Sequence, residues 1–186
     1  MSYKRWLFIA ISLFGIGLVL GLSTSSGSAG LLSEELTALE EFADILTPLP
    51  QSSILAIIFI KNVSALLISF VLSPIFCLVP ILALTVNGWL VGLVSAMVIE
   101  EKSLGYLLAG LLPHGIFEVP ALIMGEAVAL SFGTAVFLAL FSKEKGDLVL
   151  PNFKQNSRYL IAALGLLLIA AIIETYITPL FLSRNR

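Results

Sequence analysis

The sequence predicts an all-α fold: a polytopic bundle of transmembrane helices with about five crossings, one of them broken or re-entrant between Pro113 and Gly115. Three observations lead there. Of 186 residues, 59% are hydrophobic and 12% charged, and the mean hydropathy is +1.07. A soluble domain carries about 25% charged residues, and half that share is too few to cover a water-facing surface. Between Lys61 and Glu100 no charged residue occurs at all. One helix of that length would measure ~57 Å, against ~30 Å of hydrocarbon, so the run crosses about twice with a break.

The elements follow in order, within a single membrane domain spanning the chain. Residues 6–22 are an apolar run after Lys4 and Arg5. It is longer than most signal-peptide cores, and Gly17 and Gly21 stand at the spacing that lets helices pack closely, so a retained first crossing is expected. Residues 31–47 differ in kind. Leu32, Leu36, Leu39, Phe42, Ala43 and Leu46 recur at helical spacing, with Glu34, Glu35, Glu40, Glu41 and Asp44 on the other faces. This predicts an acidic amphipathic helix outside the membrane, capped by Ser33 and stopped before Pro48.

Residues 52–73 form the second crossing, with Lys61 and Asn62 near its middle, and residues 75–99 the third, after Pro74. Residues 103–141 are long for one crossing and short for two. Pro113, Gly115 and Pro120 interrupt them, which predicts a broken or re-entrant fourth element. Irregular backbone at membrane depth is tolerated only where protein or water satisfies it. A polar stretch, residues 142–158, precedes the last crossing at residues 159–182. Five crossings with a cytoplasmic N-terminus place Lys4, Arg5, Lys143, Lys145, Lys154 and Arg158 inside and Lys102, Arg184 and Arg186 outside, in keeping with the positive-inside rule. A multi-pass protein of the cell (plasma) membrane is expected.

Several function classes fall away. No basic patch with interleaved aromatics points to nucleic acid. The one cysteine, Cys77, forms no intramolecular disulfide and no metal-ligand cluster. One histidine, no HExxH and no GxSxG give no enzymatic motif and no cofactor or metal assignment. What remains are ionisable groups inside membrane segments: Lys61, His114, Glu118, Glu126 and Glu174. Each costs several kcal/mol there and is a functional-site candidate by default. His114 and Glu118, four apart, share a helix face, and Glu126 lies roughly on the same side. They form either a structural knot around the break or a polar pocket of the kind transporters build at interrupted helices. Asn62 and Asn87 are expected to hydrogen-bond across helices, and Lys61 to pair with Glu174 or Glu118. Gly88 with Gly92, and Gly125 with Ala129 and Gly133, read as packing stripes within the chain or across a homo-oligomer.

At these residues the sequence resembles the stage II sporulation protein M (SpoIIM) family. The resemblance is carried by PHGIFEVPAL from Pro113 to Leu122, by AAIIETYITP from Ala170 to Pro179, and by Asn62 followed by Asn87-Gly88-Trp89 and Gly92. It implies a compact polytopic membrane protein without enzymatic activity, whose polar core is Asn62, Asn87, His114, Glu118 and Glu174. The family's namesake acts in engulfment of the forming spore, in a complex with peptidoglycan hydrolases that it helps localise. Two roles are therefore expected to compete: a scaffold or complex subunit that holds membrane or envelope proteins, and a small-solute or ion transporter with an intramembrane polar site.

Overall fold

A computed structural model describes residues 3–24, 48–141, 146, 147 and 149–184. The expected acidic helix at residues 31–47 lies outside them, as do Lys143 and Lys145. The described residues are helices and short turns. Helix α1 is Tyr3–Leu22, α2 Gln51–Leu72, α3 Leu78–Glu101, α4 Leu104–Ala139 and α5 Val149–Ile172. A π-helical turn, Ile173–Ile177, joins α5 to a short α6, Thr178–Arg184. Five of these stretches are long and apolar enough to cross a membrane, the last running from Val149 to Leu182. Large apolar side chains point outward along them, with Phe8 71%, Val71 68% and Ile161 69% exposed. Such a surface requires lipid rather than water.

The contacts fix the direction of each pass. Gly17 and Gly21 of α1 lie against Thr85 and Trp89 of α3, so these two helices run parallel. In α2 and α4, Asn62 meets Glu118, Ser69 meets Glu126 and Ser73 meets Gly133, again in parallel order. Helix α5 runs antiparallel to α4, since Asn156 meets Ser131 near its start and Thr178 meets His114 past its end. Direction thus alternates from α1 through α5, as in five successive crossings.

Helix α4 is the hub. Half of its apolar stretch is buried, against 17% for α2, and every residue from Gly125 to Ser131 is buried. Leu84, Ala127 and Leu130 pack with Trp6, Ala10 and Phe14 on one side, and Ala121 packs with Leu66, Ala163 and Leu167 on the other. A helix apolar all round belongs at the centre of a bundle.

One expectation is corrected. The fourth element is not broken: α4 runs continuously through Pro113, Gly115 and Pro120. Each proline frees one backbone carbonyl four residues earlier, at Ala109 and Ile116. A true interruption at membrane depth would strand several backbone groups, so the continuous helix is the cheaper solution. The irregularity falls instead in the last pass, at the π-turn beside Glu174. The last helix also begins before residue 159: the polar residues 149–158 are the first turns of α5.

The α2–α3 connection is tight. Phe76 and Cys77 occupy the left-handed region at φ 52° and 55°, the conformation usually left to glycine. Ser103 caps α4 by accepting a hydrogen bond from the Tyr106 amide at 3.1 Å.

Candidate functional site

Because α4 is unbroken, His114 and Glu118 lie one turn apart on the same face. Glu118 stands ~21 Å along α4 from its first residue, at mid-depth for a membrane helix. Glu174 reaches them from the last pass. One ring nitrogen of His114 and one carboxylate oxygen each of Glu118 and Glu174 all lie within 4.8 Å of one another, and all three side chains are partly buried. Among the described residues this is where ligand-type side chains converge. Two ionised carboxylates that close repel by about 3 kcal/mol at an effective dielectric constant of about 20. A nearby positive charge or a proton shared between them relieves that repulsion.

Outer partners orient each member. Asn62 of α2 donates from Nδ2 to Glu118 Oε1 at 3.2 Å. Glu174 lies in the electrostatic field of both Glu118 and Lys61. Thr178 Oγ1 donates its one proton to the Ile173 carbonyl at 3.3 Å, so it accepts from His114 Nδ1 at 3.4 Å. With Nδ1 as the donor to Thr178, a neutral ring keeps its Nε2 lone pair available to a further partner. The π-turn contributes here, since single π-turns inside helices commonly accompany functional sites.

The cluster is reached by a cavity of about 390 Å³ between α3, α4 and the end of the last pass. Its walls are apolar, among them Val94, Val98, Leu107 and Leu182, and His114 and Glu118 line it as well. It runs from Tyr106 and Val98, beside the α3–α4 turn, down to Glu118. An apolar pocket with a few convergent polar groups is the usual form of a small-ligand site. Chemically, a neutral imidazole nitrogen and two carboxylates bind cations or hydrogen-bond donors.

The other candidate residues lie elsewhere. Glu126, 1% exposed, accepts a 2.5 Å hydrogen bond from Ser69 and stands two turns beyond Glu118, apart from the cluster. Asn87 does not reach across helices. It is exposed and donates to the Ala83 carbonyl of its own helix at 2.7 Å, a local bond always within reach of an Asn on a helix. The glycines are packing positions inside the chain. A Cβ at Gly17, Gly21, Gly88 or Gly92 would overlap backbone of the facing helix, one at Gly125 would strike Leu66, and one at Gly133 would strike Ser73. Ala129 is buried in α4. Sequence reasoning missed Thr178, an ordinary threonine in an apolar helix, and the Ser131–Asn152–Asn156 network joining α4 to α5. Asn152 and Asn156, four apart, carried that signal.

Comparison with known proteins places these features in a family. A 30% identity over 120 residues links the chain to an uncharacterized protein of Methanocaldococcus jannaschii, covering 64% of this chain and 67% of that one. No solved structure matches. The family model for stage II sporulation protein M matches residues 10–179, which takes in most of the first and last passes, the whole of the other three and every member of the cluster, and the chain belongs to the SpoIIM family.

Proposed function

We propose that this SpoIIM-family member is a non-enzymatic protein of the plasma membrane, N-terminus in the cytoplasm, that binds and passes a small cationic solute or ion. The observation that carries this reading is the convergence of His114, Glu118 and Glu174 within 4.8 Å, with His114 and Glu118 lining an apolar cavity. Such groups are costly at membrane depth, and a purely structural knot has no need of a cavity that reaches it. Helix directions and the count of Lys and Arg support the orientation, which puts the half of the bundle that holds the cavity on the non-cytoplasmic side.

The test is flux into liposomes carrying the purified full chain, with monovalent and divalent cations supplied in turn. Wild type is expected to pass one of them, and Glu118→Gln to remain inserted and monodisperse while losing at least tenfold of that rate. No flux above empty liposomes, or an unimpaired Glu118→Gln, would overturn the reading. Family membership favours a second one, a complex subunit in membrane or envelope remodelling. It predicts stable co-purification with membrane or envelope proteins that Glu118→Gln leaves untouched.

A further inference from the structure

We propose that His114, Glu118 and Glu174 form a binding site for a divalent transition-metal ion of the zinc type, open towards the cavity. The proposal deepens the reading of this cluster as a cation site. The donor set is one imidazole nitrogen and two carboxylates, which suits zinc, manganese or cobalt better than the all-oxygen shell that calcium or magnesium prefers. Metal–ligand distances of about 2.0–2.2 Å put neighbouring ligands of a tetrahedral site ~3.4 Å apart. The three donor atoms already lie within 4.8 Å of one another, so side-chain rotation without helix movement closes the site.

Two observations independent of that spacing point the same way. First, the outer contacts resemble those that orient metal ligands. A ligating histidine characteristically donates its other ring N–H to an oxygen, and ligating carboxylates are hydrogen-bonded in turn. Here His114 Nδ1 is held by Thr178, whose own proton is committed to the Ile173 carbonyl, and Glu118 is held by Asn62. A neutral ring that donates from Nδ1 to Thr178 keeps an unprotonated Nε2, the form a metal requires. Second, the cavity supplies both a route and the open fourth position, because it reaches His114 and Glu118. Three protein ligands with one open position is the pattern of an exchangeable site rather than a closed structural one. Lys61, which acts electrostatically on Glu174, offsets part of the carboxylate charge and competes with the ion, lowering affinity without removing a ligand.

The experiment is equilibrium dialysis of the purified full chain in detergent against zinc, with cobalt(II) absorption as a spectroscopic readout of coordination. One zinc per chain is expected. His114→Ala, Glu118→Gln and Glu174→Gln should each weaken binding by at least 100-fold, and Thr178→Val by about 10-fold or more. Lys61→Met should tighten binding, and Glu126→Gln should leave it within twofold. Wild type that binds no zinc overturns the proposal directly, whatever the variants do. So does binding that survives Glu118→Gln combined with Glu174→Gln, or that fails to tighten in Lys61→Met. Failure here with cation flux intact would remove the metal and keep the transport reading. Zinc bound without any flux would do the reverse.

Discussion

At the scale of single residues, several buried polar groups in this membrane protein are held in pairs, and breaking a pair has a measurable cost. Ser69 donates to Glu126, and both are 1% exposed. Removing one partner strands the other, which costs about 1–3 kcal/mol, whereas replacing both with apolar groups is nearly neutral. Ser69→Ala should therefore lower the melting temperature in detergent. Glu126→Leu should cost less, because the Ser69 hydroxyl is able to turn back to its own helix carbonyl. The double variant should recover most of the loss. A melting temperature unchanged in Ser69→Ala would show that the pair contributes nothing. Half of this residue-level pattern was legible beforehand. Asn62, His114, Glu118, Glu126 and Glu174 stand out because each is costly in lipid. Their pairing was not legible: Asn62 and Glu118 are 56 residues apart, and His114 and Thr178 are 64 apart. Thr178 gave no signal at all, since a threonine satisfies itself within a helix and costs little in lipid.

At the scale of elements, α1 and α3 meet through glycines from both sides. Gly17 and Gly21 admit the backbone of Thr85 and Trp89, and Gly88 and Gly92 admit that of Phe14 and Leu18. Without a hydrophobic drive between helices in lipid, this close approach and its van der Waals contact hold the pair together. The obstacle to a side chain here is backbone, which no rotamer change relieves. Gly17→Ala and Gly88→Ala should each destabilise the fold by about 1–3 kcal/mol, the usual cost of overpacking. Gly15 and Gly165, where a Cβ meets nothing within 4 Å, give the opposite sign. Alanine there should be neutral or stabilise by up to about 1 kcal/mol through helix propensity. Equal effects at Gly15 and Gly17 in thermal or denaturant melts would remove the glycine contact as the cause. The four-residue spacing made these glycines readable as packing stripes, but not whether the partner was in the same chain. The proline signals were read too literally. Pro113 and Pro120 do remove hydrogen-bond donors, yet in lipid the surrounding helix continues because stopping costs more. No residue type marks the π-turn at Glu174, so it could not be anticipated.

At the scale of the whole molecule, alternating directions divide the ends of the helices between two faces. The start of α1, the α2–α3 turn, the end of α4 and the start of α5 share one face. Gln51, the α3–α4 turn at Ser103 and the end of α6 share the other. The cavity lies entirely in the half of the bundle beside Ser103, since its lining begins near Val98 and Tyr106 and ends at Glu118. The cluster belongs to that half, while the stretch from Gly125 to Ser131, in the other half, is buried throughout. This asymmetry is testable with a membrane-impermeant thiol reagent once Cys77 is replaced by Ser. Ile75→Cys and Gln155→Cys should be labelled from the cytoplasmic side alone, and Gln51→Cys and Ser103→Cys from the outer side alone. Leu111→Cys, in the cavity wall, should react more slowly than Ser103→Cys but from that same outer side, and zinc should slow it further if the ion sits at His114. Labelling of Ile75→Cys and Ser103→Cys from one side would mean that α3, which lies between them, does not cross, and the five-pass arrangement would fail. Labelling of Leu111→Cys from the cytoplasmic side would leave the passes intact but make the site open to both faces at once, as a channel requires and a transporter resting open to one face does not.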